Sequence, residues 1–107
     1  MDEALRAIAE PHRREILRLV RDGELSAGEI AARFVVTRPA ISQHLRVLKD
    51  AGLIVERRAG TRRLYRADPD GLAELREALE WMWDDRLARL KELAEAEERR
   101  GTVDGGG

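Results

Sequence analysis

Three helix-start signals crowd between residues 11 and 39, and they forbid any long helix in the first half of this chain. Pro11 opens "PHRREILRLVRDGE" at a first helical position, where a missing N–H leaves no hydrogen bond unmade. Ile16, Leu17 and Val20 then share one face, and Gly23 is placed to end the helix. Ser26 and Glu29 have the spacing of a capping box, with Leu25 and Ile30 as the flanking hydrophobic staple. About two turns follow, through Phe34, before "VVT" interrupts. Thr37 is a good N-cap for the next helix, with Pro39 in its first turn. Ahead of all three, Leu5 and Ile8 give "MDEALRAIAE" the spacing of a short helix closed by Pro11.

The helix from Thr37 to Asp50, "TRPAISQHLRVLKD", has one apolar face at Ile41, Leu45 and Leu48. Its other face carries Ser42, Gln43 and Arg46, with Arg38 and Lys49 at the flanks and no acid before Asp50. Gly52 supplies a stop, and "LIVERRAGTRRLYR" turns to alternating, β-branched residues about Gly60, the pattern of a hairpin. Asp68 and Pro69 open a long helical pattern in which Leu72, Leu75, Leu79, Met82, Leu87, Leu90 and Leu93 recur every three or four residues. A helix from there to about residue 100 would be roughly 45 Å long. So small a domain cannot cover that stripe, which points to a second copy of the chain. The last residues, 101–107, have nothing to bury and are expected to be a disordered tail after one domain spanning 1–100.

Net charge is −1, which by itself argues against a polyanionic partner, but the charge is unevenly spread. Residues 1–37 carry 6 Lys/Arg and 7 Asp/Glu, residues 38–66 carry 8 and 2, and residues 67–107 carry 6 and 12. The basic block holds the polar-faced helix and the hairpin, so a local anion-binding footprint survives overall neutrality. With no Cys there are no disulfides and no thiolate metal sites. No apolar stretch is long enough for a signal peptide or membrane span, so a cytoplasmic protein without membrane contact is expected. Two His and two Ser show no triad or metal-ligand spacing, which argues against an enzyme.

The fold class is therefore mainly α with a small β-hairpin. Three short helices, a helix with a polar outer face and an arginine-rich hairpin come in the order of a winged helix-turn-helix, followed by a long C-terminal dimerisation helix. In "EPHRREILRLV", "LSAGEIAARF", "TRPAISQHLRVLKDAGLI" and "VERRAGTRRLYR" the chain resembles the ArsR/SmtB type of bacterial transcriptional repressor, over about residues 4–93. The resemblance implies that the Thr37–Asp50 helix enters the DNA major groove, that the hairpin is the wing and that the terminal helices form a homodimer. Residue chemistry agrees independently. Major-groove reading needs short or bidentate hydrogen-bonding side chains flanked by cations that hold phosphates. Ser42, Gln43 and Arg46 fit the first role, Arg38 and Lys49 the second, and Arg57, Arg58, Arg62 and Arg63 arm the hairpin. The expected partners are double-stranded DNA, as an inverted-repeat operator, and a second copy docked through Leu5, Ile8, Leu72, Leu75, Leu79, Met82, Trp83, Leu87 and Leu90. His44, at the edge of the buried face, is expected to pack rather than touch bases.

Relatives that sense metals carry Cys in the helix matching residues 26–34, or His and Asp in the last helix. Here those stretches contain neither Cys nor His, so no metal and no cofactor is expected, and "WDDRL" at 83–87 resembles a branch that does not sense metals. A hard oxygen site using Asp84 or Asp85 stays open. No small-molecule inducer follows from the sequence. Val35 stands where relatives often have Gly, so either the turn differs here or it is strained. The alternative to DNA binding is a winged helix turned to protein partners, which would tolerate Lys for Arg and any outer-face residue where DNA reading would not.

Overall fold

The computed structural model describes the backbone of residues 2–106 and the side chains of residues 2–99. Its elements follow in the order α1 (Asp2–Ile8), α2 (Pro11–Val20), β1 (Leu25–Ser26), α3 (Ala27–Ala31), α4 (Arg38–Asp50), β2 (Ile54–Ala59), β3 (Arg62–Ala67) and α5 (Pro69–Gly106). Contacts divide the chain into two compact units, Met1–Leu75 and Arg76–Gly107.

Local chemistry sets the helix boundaries in the first unit. Pro11 occupies the first turn of α2, and the carboxylate of Glu10 caps the helix by accepting from the Arg13 N–H at 3.0 Å. Ser26 and Glu29 form the full capping box of α3, each side chain accepting from the other's backbone N–H. Thr37 Oγ1 accepts from the Ala40 N–H at the start of α4. Beyond α4, Gly52 takes a φ of 77°, a left-handed value that a side chain would resist, and the chain reverses into β2.

Two boundaries differ from the sequence expectation. Helix α3 ends at Ala31 rather than reaching Phe34, because the N–H groups of Arg33 and Phe34 turn to carbonyls three residues back and tighten the chain into a turn. Backbone of α5 continues past the expected end near residue 100. The side chains of the expected tail, 101–107, lie outside the described residues. Val35 is fully exposed, and no non-glycine residue among those described has a positive φ, so the turn before α4 differs from a glycine-requiring one and is unstrained there.

The hairpin of β2 and β3 has Ala59 opposite Arg62, and Gly60 holds a φ of 65° at its tip. A positive φ at the first central residue and not the second is the type II′ pattern, whose twist suits the strands. Sequence reading expected only this hairpin. The fold adds β1 on the far edge of β3, giving a three-stranded antiparallel sheet in the order β1-β3-β2.

Ile16, Val20, Ile30, Ile41, Leu48 and Leu53 are fully buried and form the centre of one core, which Leu45, Ile54, Tyr65 and Leu75 extend. Leu75 and Leu72, expected in the seam between copies, thus pack inside the chain's own first unit, Leu75 with only 6% of its surface exposed. Leu5 and Ile8 are half-buried against the same core. The apolar side chains of the second unit are open: Leu79, Met82, Trp83, Leu87 and Leu90 all remain exposed, as does Trp81.

Helix α5 begins by lying directly on the turn after α4. The Asp68 N–H donates to the Leu53 carbonyl at 2.9 Å, and the Asp68 carboxylate accepts from the Asp70 and Gly71 N–H groups. A Cβ on Gly71 would overlap the Gly52 carbonyl oxygen, so only glycine permits this approach. Gly71→Ala should therefore cost about 1–3 kcal/mol in denaturant unfolding, the usual cost of overpacking against an unyielding neighbour. Gly23→Ala, with open space around it, serves as the control and should stay within about 0.5 kcal/mol of wild type.

Candidate nucleic-acid interface

On α4, successive residues turn by about 100°. Burial of Ile41, Leu45 and Leu48 therefore fixes Ser42, Gln43, Arg46 and Lys49 on the solvent side, and all four are exposed. Facing them across a cleft of about 710 Å³ stands the hairpin. Arg38, Ser42, Arg46 and Lys49 from α4 and Arg62 and Arg63 from β3 all line it. Ser26 and Gly28, at the start of α3, complete the wall.

Cross-strand pairing sets the face of each wing arginine, and Arg62, opposite Ala59 at the hairpin tip, lines the cleft although its register places it on the face of Arg57. Arg63 lies opposite Arg58, and Tyr65 opposite Glu56, on the side that faces α4. Arg57 lies opposite Leu64 on the other side, where its Nε and Nη2 donate to the two carboxylate oxygens of Glu24 at 2.9 and 2.8 Å. That hydrogen-bonded pairing raises the Arg57 pKa and lowers that of Glu24. Arg57 is thus oriented away from the cleft and already engaged. Gln43 is exposed on α4 just outside the cleft lining, and Arg58 is exposed on β2.

The cleft is not uniformly positive. Glu56, with 22% of its side chain exposed, sits between Lys49 Nζ at 3.3 Å and Arg63 Nε at 3.6 Å. Burial, and then the charge of Glu56, push the Tyr65 hydroxyl pKa up. Arg62 is paired with Glu29 of the α3 capping box. Arg38, Arg46 and Arg58 have no carboxylate partner among the described residues. Their charges are the ones immediately available to a phosphate.

Sequence reading singled out the cations and the polar face of α4 but missed the acids that restrain them. Glu24 and Glu56 are ordinary in sequence and Glu29 was read only as a capping-box residue; Glu24 and Glu29 meet their arginines across 33 residues of chain.

A capped helix with a polar outer face, preceded by a short helix and flanked by a cationic hairpin, defines a winged helix-turn-helix. Residues 10–55 match the family model described as "Bacterial regulatory protein, arsR family". The HTH-type transcriptional regulator Rv2034 of Mycobacterium tuberculosis is 46% identical over 96 residues, covering 90% of both chains. The transcriptional repressor SdpR of Bacillus subtilis is 37% identical over 82 residues, covering 77% of this chain and 88% of that one. Among solved structures, the homodimeric winged helix-turn-helix DNA-binding domain Mb0332 of Mycobacterium bovis aligns with a TM-score of 0.64 at 31% identity, covering 80% of each chain. The protein belongs to the ArsR family of bacterial transcriptional regulators, whose winged helix-turn-helix binds DNA. No helix among the described residues is long and apolar enough to cross a membrane.

Removing the restraint on the cleft should be measurable. Glu56→Gln frees Lys49 and Arg63 and deletes a charge that would repel phosphate. Affinity for unrelated duplex DNA should rise, and the slope of log affinity against log salt should steepen by up to about 0.9 for each cation released to a phosphate. Fluorescence anisotropy at several salt concentrations checks this.

Proposed function

We propose that the protein acts as a homodimer that represses transcription from an inverted-repeat operator, with α4 in the major groove and the hairpin along the flanking backbone. The observation that carries the assignment is the shared cleft. Six of the nine side chains expected to meet DNA line one concave surface between α4 and the hairpin. Ser42 and Gln43 are assigned to base edges, with Arg46 beside them. Arg38 and Lys49 are assigned to phosphates at the two ends of α4, and Arg62, Arg63 and Arg58 to the backbone beside the wing. Arg57 contributes by bracing the hairpin through Glu24 rather than by direct contact.

Two-fold symmetry supports the operator form, since a dimer presents two copies of α4 to two half-sites. Support for the dimer comes from the open apolar side chains of α5 and from the homodimeric relative. The proposed seam is Leu79, Met82, Trp83, Leu87 and Leu90, with Leu5 and Ile8 contributing from α1. Trp81 lies half a turn away from Leu90 at 100° per residue and stays outside it.

Sedimentation should show a dimer at micromolar concentration, and Leu79→Glu should shift it towards monomer while leaving the far-ultraviolet circular dichroism of each unit in place. A wild-type chain that sediments as a monomer contradicts the seam.

Base and backbone contacts should separate by mutation. Gln43→Ala should cost on the order of 1–3 kcal/mol on the operator and leave binding to scrambled duplex nearly unchanged. Arg38→Ala should weaken both alike and flatten the salt slope by about 0.9 per lost phosphate contact, which a dimer loses twice. If Gln43→Ala leaves the operator-to-scrambled ratio intact, α4 does not read bases through that residue.

A further inference from the structure

The only two histidines of the chain, in which sequence spacing shows no metal motif, meet in the fold. His12 stands in the first turn of α2 and His44 in the middle of α4, with Glu10, the N-cap of α2, between them. His12 Nδ1 is 2.9 Å from Glu10 Oε1, and His44 Nε2 is 3.9 Å from Glu10 Oε2. One donor atom from each residue can be chosen so that all three lie within 4.8 Å of one another. The two imidazole rings run nearly parallel, 20° apart with centroids at 5.7 Å, and Phe34 holds His12 from the other side, edge to face at 5.6 Å.

We propose that Glu10, His12 and His44 form a binding site for one divalent transition-metal ion of the zinc class, bridging the start of α2 to the middle of α4. Two imidazoles and a carboxylate are the borderline donor set that zinc, cobalt and nickel prefer, and that magnesium and calcium, which demand several oxygens, do not. Donors bound to one tetrahedral zinc at 2.0–2.1 Å lie about 3.4 Å apart, and the observed 2.9 and 3.9 Å spacings bracket that value. The two spacings run to different oxygens of Glu10, so the set, within 4.8 Å as it stands, must close by up to about 1.4 Å to share one ion. All three residues keep some exposure, 44% for His12, 30% for Glu10 and 18% for His44, so water can reach a fourth position.

Two adjustments oppose binding. A metal on His12 Nδ1 replaces the 2.9 Å hydrogen bond to Glu10 Oε1 and moves that ring proton to Nε2. Arg13 Nη1 lies 3.4 Å from His44 Nδ1, so Nδ1 is the acceptor and Nε2 carries the proton. Metal at Nε2 moves that proton to Nδ1 and displaces the guanidinium. Arg13 remains anchored by its 2.6 Å bond from Nε to the Ala7 carbonyl, so the displacement breaks only the longer contact. Those adjustments make the expected affinity weaker than that of a structural zinc site. The proposed site departs from the sequence expectation of no metal, and it lies in neither helix where relatives carry their ligands.

The test is competition between the full-length wild-type chain and a chromophoric chelator for Zn²⁺, repeated with Co²⁺ for its visible absorption. One equivalent should bind, excess Mg²⁺ or Ca²⁺ should not displace it, and His12→Gln and His44→Gln should each weaken it by about tenfold or more. Glu77→Gln, on the exposed face of α5, should bind as wild type. Because His44 is the more buried of the pair, thermal melts accompany that variant, and His12→Gln at a half-exposed position carries the test if His44→Gln unfolds. No saturable binding, or wild-type affinity in a folded His12→Gln chain, overturns the site.

Discussion

Burial of Ile41, Leu45 and Leu48 is the constraint on which the rest of the molecule depends. These three side chains meet Ile16, Val20 and Ile30 of the preceding helices in one core. Fully burying a Leu or Ile contributes about 1.5–3 kcal/mol, so turning α4 by even one residue would forfeit about 4.5–9 kcal/mol, comparable to the whole stability of a typical small domain. The helix is therefore held in one rotation, and Ser42, Gln43 and Arg46 face outward because their neighbours face inward. The precision of the surface derives from the core beneath it.

Electrostatics then select what that surface meets. A chain of net charge −1 binds a polyanion only through local asymmetry, and residues 38–66 supply it with 8 Lys/Arg against 2 Asp/Glu. The acids are placed to moderate it. Glu56 restrains Lys49 and Arg63 within the cleft, while Glu24 occupies Arg57 on the far side of the sheet. Such pairing lowers the charge available to any DNA without touching the hydrogen-bonding groups that distinguish one sequence from another. Discrimination rises relative to indiscriminate attraction. The acidic stretch 67–107, with 12 Asp/Glu against 6 Lys/Arg, offers phosphate no purchase and leaves α5 to its apolar contacts.

Features set by neighbouring residues were legible in the sequence. Thr37 and Pro39 start α4, Ser26 and Glu29 box α3, and Gly60 turns the hairpin, each through contacts within four residues. Features set by distant residues were not. Strand β1 is two residues long and has no periodicity to reveal it; it exists because β3 leaves an edge to pair. Glu10 is an uncommon N-cap and was read only as the residue before Pro11. The inward turn of Leu75 depends on the docking of α5 against Gly52, which no repeat of leucines announces. Likewise the cleft cations could be named from the sequence, whereas their partition between free and paired arginines required the register of β2 against β3.

The central claim is that a homodimer reads two half-sites through the outer face of α4. Selection of bound sequences from a randomised duplex pool by the purified protein tests it most directly. Enrichment of an inverted repeat with half-site centres separated by about one helical turn, or a multiple of it, is the predicted result. Enrichment of a single unrepeated site, or no enrichment over the starting pool at a salt concentration where the protein still binds DNA, would contradict it.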